Sequence, residues 1–522
     1  MSRNTLAFFA ALCLLLAGLI CAAGCLKPAE TSPSTVQEPL SGLDAITGEP
    51  RYAFATWGIR AVDTATGEVL VSRNADALFA AGSTTKCFTV AAALDTFGPG
   101  YRFATPVFAR GTLSPDGVLD GVLILAASGD PTMGGRTLPD GTIAFTSADH
   151  GDANALGGAV LTATDPLAGL DVLARQVGHA GIARVSDVVI DDRLFETVQL
   201  ADDNPVTPII INDNLIDVII TPAGEGEPAH VGSRPETSVW SVNAAVTTGE
   251  AATVPDIRIE GGTGIIMVSG TVPAGGGVQV RTFRPPDAAG FARSLFIEAL
   301  ERAGVGVDAP ADGANPVHLL PGPEASDMSK VAELVSPPLS ENAKLILKVS
   351  QNLHANTLLG IMAAYCGERT VYDGLAHETF VLEMAGIDDR SLTLVDGEGS
   401  MGNRISPDAM TLLLQYMEQR PYAGAFREAL PVLGVDGTLA SAVSPGSPAR
   451  GKVQAKTGTV ITQDMAGLFL HAKAMAGYIT AKSGRELAFA VFVNDVRITS
   501  VDDAMAVGSD LAGIAEYFYE TF

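Results

Sequence analysis

The stretch AAGSTTKCFTVAAAL, Ala80 to Leu94, sets Ser83 and Lys86 three residues apart at the head of a run of small apolar side chains. On a helix such a pair shares one face, with Cβ atoms about 5–6 Å apart, so the lysine amine can point at the serine oxygen. A serine hydroxyl is a weak nucleophile at neutral pH and attacks a carbonyl only with a base beside it. Burial or a nearby positive charge lowers a lysine pKa toward the value such a base needs. The helix N-terminus adds a dipole that favours negative charge on the reacting atoms. Serine is also a preferred N-cap residue, and on this stretch alone both readings stand.

Two distant stretches offer partners. In KVSQNLHAN, Ser350 and Asn352 fall between two helical patterns, where a loop can present a hydroxyl as a proton relay and an amide to a substrate. In VQAKTGTVIT, Lys456, Thr457 and Gly458 enter a strand. The lysine and the threonine hydroxyl can hold a carboxylate, and glycine lets a backbone approach closely. Singly, the first is a common local sequence and the second an ordinary strand after a turn.

Around these motifs the chain has 522 residues, more than one hydrophobic core usually supports, so two or three domains are expected. Its 59 acidic against 33 basic side chains give a net charge of −26, which repels a phosphate backbone and excludes nucleic acid as a partner. Of five cysteines only Cys87 and Cys366 lie beyond residue 25, too few for a disulfide scaffold. No CxxC or HExxH occurs and the seven histidines, His354 among them, are scattered. Neither a metal nor another cofactor is expected.

The N-terminus, MSRNTLAFFAALCLLLAGLICAAGC, has one arginine, an apolar run and small residues before Cys25. That is the anatomy of an export signal over residues 1–25. A retained membrane anchor is the alternative for an apolar run of this length. AAGC resembles a bacterial lipoprotein processing site, which would make Cys25 the lipidated first residue; plain signal-peptide cleavage remains open. Residues 26–48, rich in Pro, Ser, Thr and Glu, read as a flexible tether.

From Tyr52 to Asp76 alternating apolar residues around a Thr-Gly turn predict a hairpin. From about residue 100 to 285, short β-like runs are split by Gly, Pro and Asp, and no lysine occurs between Lys86 and Lys330. A β-rich insertion is expected there. Helical periodicity returns in AAGFARSLFIEALERAGV and in AKLILKVSQNLHANTLLGIMAAY. Near the end, two strands flank AKSGRE, and Ala504, Val507, Leu511, Ile514 and Phe518 recur at helical spacing, predicting a terminal helix against the sheet.

SxxK, then SxN, then KTG is the signature order of penicillin-binding proteins and serine β-lactamases. The chain resembles that superfamily. The 267 positions between Ser83 and Ser350, with LAASGDPTM, VVIDDRLF, LVDGEGSMGNRISP and LPVLGVDGTL, make it similar to one family within it. This is the D-alanyl-D-alanine carboxypeptidase/endopeptidase family of class C low-molecular-mass penicillin-binding proteins, the penicillin-binding protein 4 type, peptidase family S13. The resemblance implies an α/β fold: a penicillin-binding-protein/β-lactamase-like transpeptidase domain, an α/β sandwich, over 49–100 and 286–522. It further implies an inserted domain II over 101–200 and 262–285 and a nested domain III over 201–261.

The same resemblance implies a serine peptidase acting on peptidoglycan stem peptides, inhibited by β-lactams, in the periplasm or cell envelope. Its membrane contact would be only the N-terminal signal or lipid anchor. Ser83 would be the acylated nucleophile, Lys86 its base, Ser350 the relay to the leaving group and Asn352 the group orienting the substrate amide. Lys456 and Thr457 would receive the terminal carboxylate, Gly458 would let the substrate approach the strand closely, the N–H groups of Ser83 and Thr459 would form the oxyanion hole, and Asp191 would reach a stem-peptide ammonium. Three positions depart from the usual pattern: Gln351 where Asp is common, Asn356 where Glu is frequent, and Cys87 after the lysine. The alternatives are a β-lactamase-like penicillin hydrolase, which differs in fast deacylation, and a non-catalytic peptidoglycan-binding envelope protein.

Overall fold

In a computed structural model of the chain, residues 41–200, 205–322, 327–465 and 467–522 are described. The signal over 1–25 with Cys25, and residues 26–40 of the tether, lie outside the described residues. The tether does not extend to residue 48 as expected. Ser41–Thr47 is a helix with Leu43 fully buried, and Gly42 lies against the Tyr517 ring.

One five-stranded antiparallel sheet is assembled from both ends of the chain, in the order Val453–Asp464, Gly467–Thr480, Glu486–Arg497, Thr56–Asp63, Val69–Arg73. The N-terminal hairpin is closed by Asp63, whose Oδ1 accepts from the Ala65 and Thr66 N–H groups at 3.0 and 2.8 Å. Glu486–Arg497 is buried on both faces, so its apolar run is continuous rather than alternating. Ala488, Ala490 and Phe492 face one apolar core, which also takes Phe88, Leu94, Leu347, Leu358 and Leu413 from helices. On the other face Phe489 meets Phe518 of the terminal helix Val501–Thr521, with ring centroids 6.3 Å apart. That helix starts at a Ser500–Asp503 capping box and buries Ala504, Val507, Leu511, Ile514 and Phe518, as its spacing predicts.

A second five-stranded sheet runs Gly306–Val307, Arg184–Asp191, Val118–Ala126, Ala104–Leu113, Met328–Val335. Two three-stranded sheets follow within the insertion, one of Gln279–Phe283, Ile216–Thr221 and His230–Arg234, the other of Ser241–Gly249, Ile265–Pro273 and Asp256–Gly262. Two boundaries therefore differ from expectation. Ile265–Pro273 pairs with nested strands on both sides, so the nested part extends past residue 261. The insertion ends near Val335 rather than at 285. The helix Ala288–Arg302 places Ala292, Leu295, Phe296 and Leu300 in the same core as Leu123, Leu173 and Val188. Its buried Arg293 donates to Val188 O at 2.8 Å and pairs with Asp187 at 2.6 Å. Among the described residues no helix is long and apolar enough to cross a membrane.

Candidate active site

Ser83 lies inside a 3-10 turn, Gly82–Thr85, that runs directly into the helix Lys86–Phe97. Its hydroxyl accepts from Lys86 Nζ at 2.9 Å, and the N-cap position of the helix is held by Thr85 rather than by Ser83. The turn is tied to the sheet ahead of it: Asn494 accepts from the Ala80 N–H at 2.8 Å and donates to Ala80 O at 2.9 Å. Lys86, fully buried, also donates to Asn352 Oδ1 at 2.6 Å and to the Glu398 carbonyl at 2.7 Å.

Ser350 stands between the helices Leu339–Lys348 and Asn352–Tyr365 with φ of 68°, a left-handed backbone that side-chain-bearing residues rarely adopt. Such strain persists only where its surroundings over-determine it, and it collects at functional sites. The Ser350 hydroxyl accepts from Lys456 Nζ at 2.9 Å, and Lys456 donates also to the Thr457 carbonyl at 2.8 Å. Burial and the neighbouring Lys86 charge hold the Lys456 ammonium well below the usual lysine range.

Lys456, Thr457, Gly458 and Thr459 belong to the edge strand Val453–Asp464, which lies against the Ser83 turn. A Cβ on Gly458 would come within 2.2 Å of the Ala81 carbonyl, and one on Gly82, at φ 52°, within 2.8 Å of the Thr459 nitrogen. Only glycine at both positions lets strand and turn approach this closely.

Four positioning contacts were not legible in the motifs. The Glu398 carbonyl is held on Lys86 by a loop wound about Asp396, whose Oδ1 accepts from the N–H groups of Glu398 and Gly399 at 3.1 and 2.7 Å. Asn356, the departure from the usual glutamate, ties this loop with both amide atoms: it donates to Glu398 Oε2 at 2.8 Å and accepts from the Gly397 N–H at 2.9 Å. The Thr438 and Thr457 hydroxyls meet at 2.8 Å. Lys473, directly opposite Thr459 on the next strand, donates to its hydroxyl at 2.8 Å, and burial pulls its pKa down to about 8. A lone lysine in the apolar run AKAMAGY was the available signal for it. Cys87 packs in the core with its thiol pushed up to about 12 by burial, and so stays protonated.

Asp191 takes no part in this cluster. It ends Arg184–Asp191 with its carboxylate engaged by Arg193 Nε at 2.7 Å and an Arg193 terminal nitrogen at 2.8 Å. Four residues on, Phe195 packs against Gly360 of the Asn352–Tyr365 helix. His354 is buried, its Nε2 2.7 Å from Asp213 Oδ1. Asp149, His150 and Asp213 bring ligand atoms within 4.8 Å of one another. Arg136, however, donates to Asp149 at 2.7 Å and to Asp213 at 3.0 Å, and both His150 nitrogens already face carboxylates. The guanidinium supplies the positive charge a cation would bring, so these residues do not fit a metal.

Residues 40–516 match the D-Ala-D-Ala carboxypeptidase 3 (S13) family. The chain is 31% identical over 510 residues to the D-alanyl-D-alanine carboxypeptidase of Actinomadura sp. (strain R39), spanning 92% of this chain and 86% of that protein. It is 25% identical over 447 residues to the penicillin-sensitive carboxypeptidase A of Dictyostelium discoideum, spanning 79% of each. Its fold is similar to that of penicillin-binding protein 4 from Haemophilus influenzae, with a TM-score of 0.67 at 20% identity over 93% of this chain and 100% of that one. With the signature order in its sequence and this match over nearly all of its length, the chain belongs to the D-Ala-D-Ala carboxypeptidase 3 (S13) family of peptidases.

Proposed function

We propose that this protein is an exported serine-type D-Ala-D-Ala carboxypeptidase and/or DD-endopeptidase that acts on peptidoglycan stem peptides through an acyl-enzyme on Ser83. The observation that carries the reading is the continuous hydrogen-bonded set of Ser83, Lys86 and Asn352 beside Ser350 and Lys456. Ser83 Oγ attacks the carbonyl carbon between two D-alanines, or that of a D-centred cross-link, while its proton passes to the neutral amine of Lys86. The negative oxygen of the tetrahedral intermediate lies between the Ser83 and Thr459 N–H groups, where one lost donor typically costs about 2.7–4 kcal/mol of barrier. A proton then reaches the leaving nitrogen through the Ser350 hydroxyl, the C–N bond breaks, and the amine product departs. Water hydrolyses the ester and regenerates Ser83.

Asn352 orients the substrate amide. Lys456 and Thr457 receive the terminal carboxylate through hydrogen bonds from the lysine Nζ and the threonine hydroxyl. Asp191 contacts a stem-peptide ammonium only if Arg193 gives way. The N-terminal signal, with Cys25 as the lipid-bearing candidate, places the enzyme in the periplasm or envelope. A β-lactam presents its carbonyl to the same geometry and acylates Ser83. Intact-mass spectrometry after incubation with benzylpenicillin tests this: the wild type is expected to gain one penicilloyl adduct and Ser83→Ala none. No adduct on the wild type, or the same adduct on Ser83→Ala, refutes the reading. The lifetime of the adduct separates a peptidase from a penicillin hydrolase.

A further inference from the structure

Gln351, the middle residue of the Ser350–Asn352 stretch, uses both ends of its amide. Its Oε1 accepts from the Leu353 N–H at 3.2 Å, capping the Asn352–Tyr365 helix, and its Nε2 donates to Asp213 Oδ2 at 3.0 Å. Asp213 comes from the insertion, in the short link ahead of the strand Ile216–Thr221. There Asn212, Asp213 and Asn214 have φ of 52, 55 and 54°, three left-handed residues in succession. The turn is held by its own side chains, with Asn214 accepting from the Ile211 N–H at 3.1 Å and donating to Ile209 O at 3.1 Å. Asn212 donates to Leu215 O at 2.9 Å.

A backbone this costly persists only when neighbours fix it. Its effect is to bring a buried carboxylate beneath the Ser350 loop. Asp213 Oδ2 receives Arg136 at 3.0 Å, His150 at 2.8 Å and Gln351, while Oδ1 receives His354 at 2.7 Å from the helix that begins with Asn352. Two of its four partners therefore belong to the insertion and two to the element that presents Ser350 and Asn352. The partner at position 351 must donate. A carboxylate there could still cap the helix, but it would face Asp213 across about 3 Å as a like charge in a buried site. The departure from aspartate to Gln351 and the carboxylate of Asp213 are thus complementary.

We infer that Asp213 is a positioning residue for the reaction, acting through Gln351 to fix Ser350 and Asn352 against the Lys86 and Lys456 side-chain nitrogens. The insertion is then part of the catalytic apparatus and not only a surface for substrate. This rests on the acyl-serine reading above. Misplacing a reacting group by 1 Å can cost about 10²-fold in rate, so a released loop shows in the chemical step before it shows in binding.

The test compares the full chain with Gln351→Glu, Gln351→Met, and Gln351→Glu combined with Asp213→Asn. Acylation by a chromogenic β-lactam is followed in stopped flow, with intact mass and unfolding midpoints alongside. Gln351→Glu is expected to lower the saturating acylation rate by about tenfold or more while the half-saturating concentration moves by less than about threefold. The double variant removes the like charge between 213 and 351 but sets an amide nitrogen where Arg136 and His150 donate, so it recovers only part of that rate and is still faster than Gln351→Glu alone. Gln351→Glu acylating at the wild-type rate, or a double variant no faster than Gln351→Glu alone, overturns the inference. Where either of these variants fails to fold, Gln351→Met decides: a comparable rate loss is expected, and a wild-type rate refutes. A wild type that takes no adduct refutes the acyl-serine reading and the inference together, whereas wild-type acylation with unaffected Gln351 variants refutes the inference alone.

Discussion

Lys473→Met removes a cation that the fold holds against its own stability. Lys473 is 8% exposed and donates to the Thr459 hydroxyl, with no carboxylate partner among the described residues. Burial lowers its pKa from 10.5 to about 8. A shift of this size corresponds to about 3 kcal/mol between protonation states. Between pH 8 and 10.5 the unfolded chain keeps the proton and the folded chain does not, so folding stability rises with pH through that window. Below pH 8 both states are protonated and the full penalty is present. Methionine fills similar space without a charge and gives up one hydrogen bond worth about 1 kcal/mol. Urea unfolding at pH 7 is therefore expected to find Lys473→Met more stable by about 2 kcal/mol, and the advantage to vanish by pH 10.5. A difference that is the same at both pH values, or a variant less stable at pH 7, would refute the reasoning. The substitution also removes one of three lysines gathered about the Ser83 turn, so KM for a peptide with a free C-terminal carboxylate should rise.

Glu378 carries the opposite linkage. Burial, with the Asp396 charge, raises its carboxyl from 4.5 to about 8, so the folded chain binds a proton that the unfolded chain has lost between those values. Stability falls as pH climbs through that window, and Glu378→Gln should remove the fall. The variant gains about 4–5 kcal/mol over wild type between pH 4.5 and pH 8.5, read from unfolding midpoints. Gly458→Ala drives a methyl into the Ala81 carbonyl, which pushes the edge strand off the Ser83 turn. Acylation by benzylpenicillin should slow by about 10²-fold while the protein stays folded. An unslowed Gly458→Ala would show that strand and turn do not need this closeness.

The Ser83–Lys86, Ser350–Asn352 and Lys456–Gly458 candidates were legible because each is a local string whose side chains suit a nucleophile and base, a relay and a clamp. Their order along the chain pointed to the family before any geometry. The terminal helix and the two hairpins were legible for a similar reason, since apolar periodicity reports the face an element buries. Periodicity does not say against what it is buried. Ala288–Arg302 reads as a helix from its sequence, but only the packing of Leu295 and Phe296 on Leu123 and Val188 assigns it to the insertion and moves the boundary to Val335.

The support of the site was hidden for the same reason. Nothing local to Asp213 says that it will lie 3.0 Å from Gln351, 138 positions away, or that Lys473 will stand under Thr459. The sequence by itself determined which groups could do the chemistry, because their identities and local spacing are covalent facts. Only the tertiary structure decided how they are held, because hydrogen bonds and buried charges join residues that chain distance does not relate.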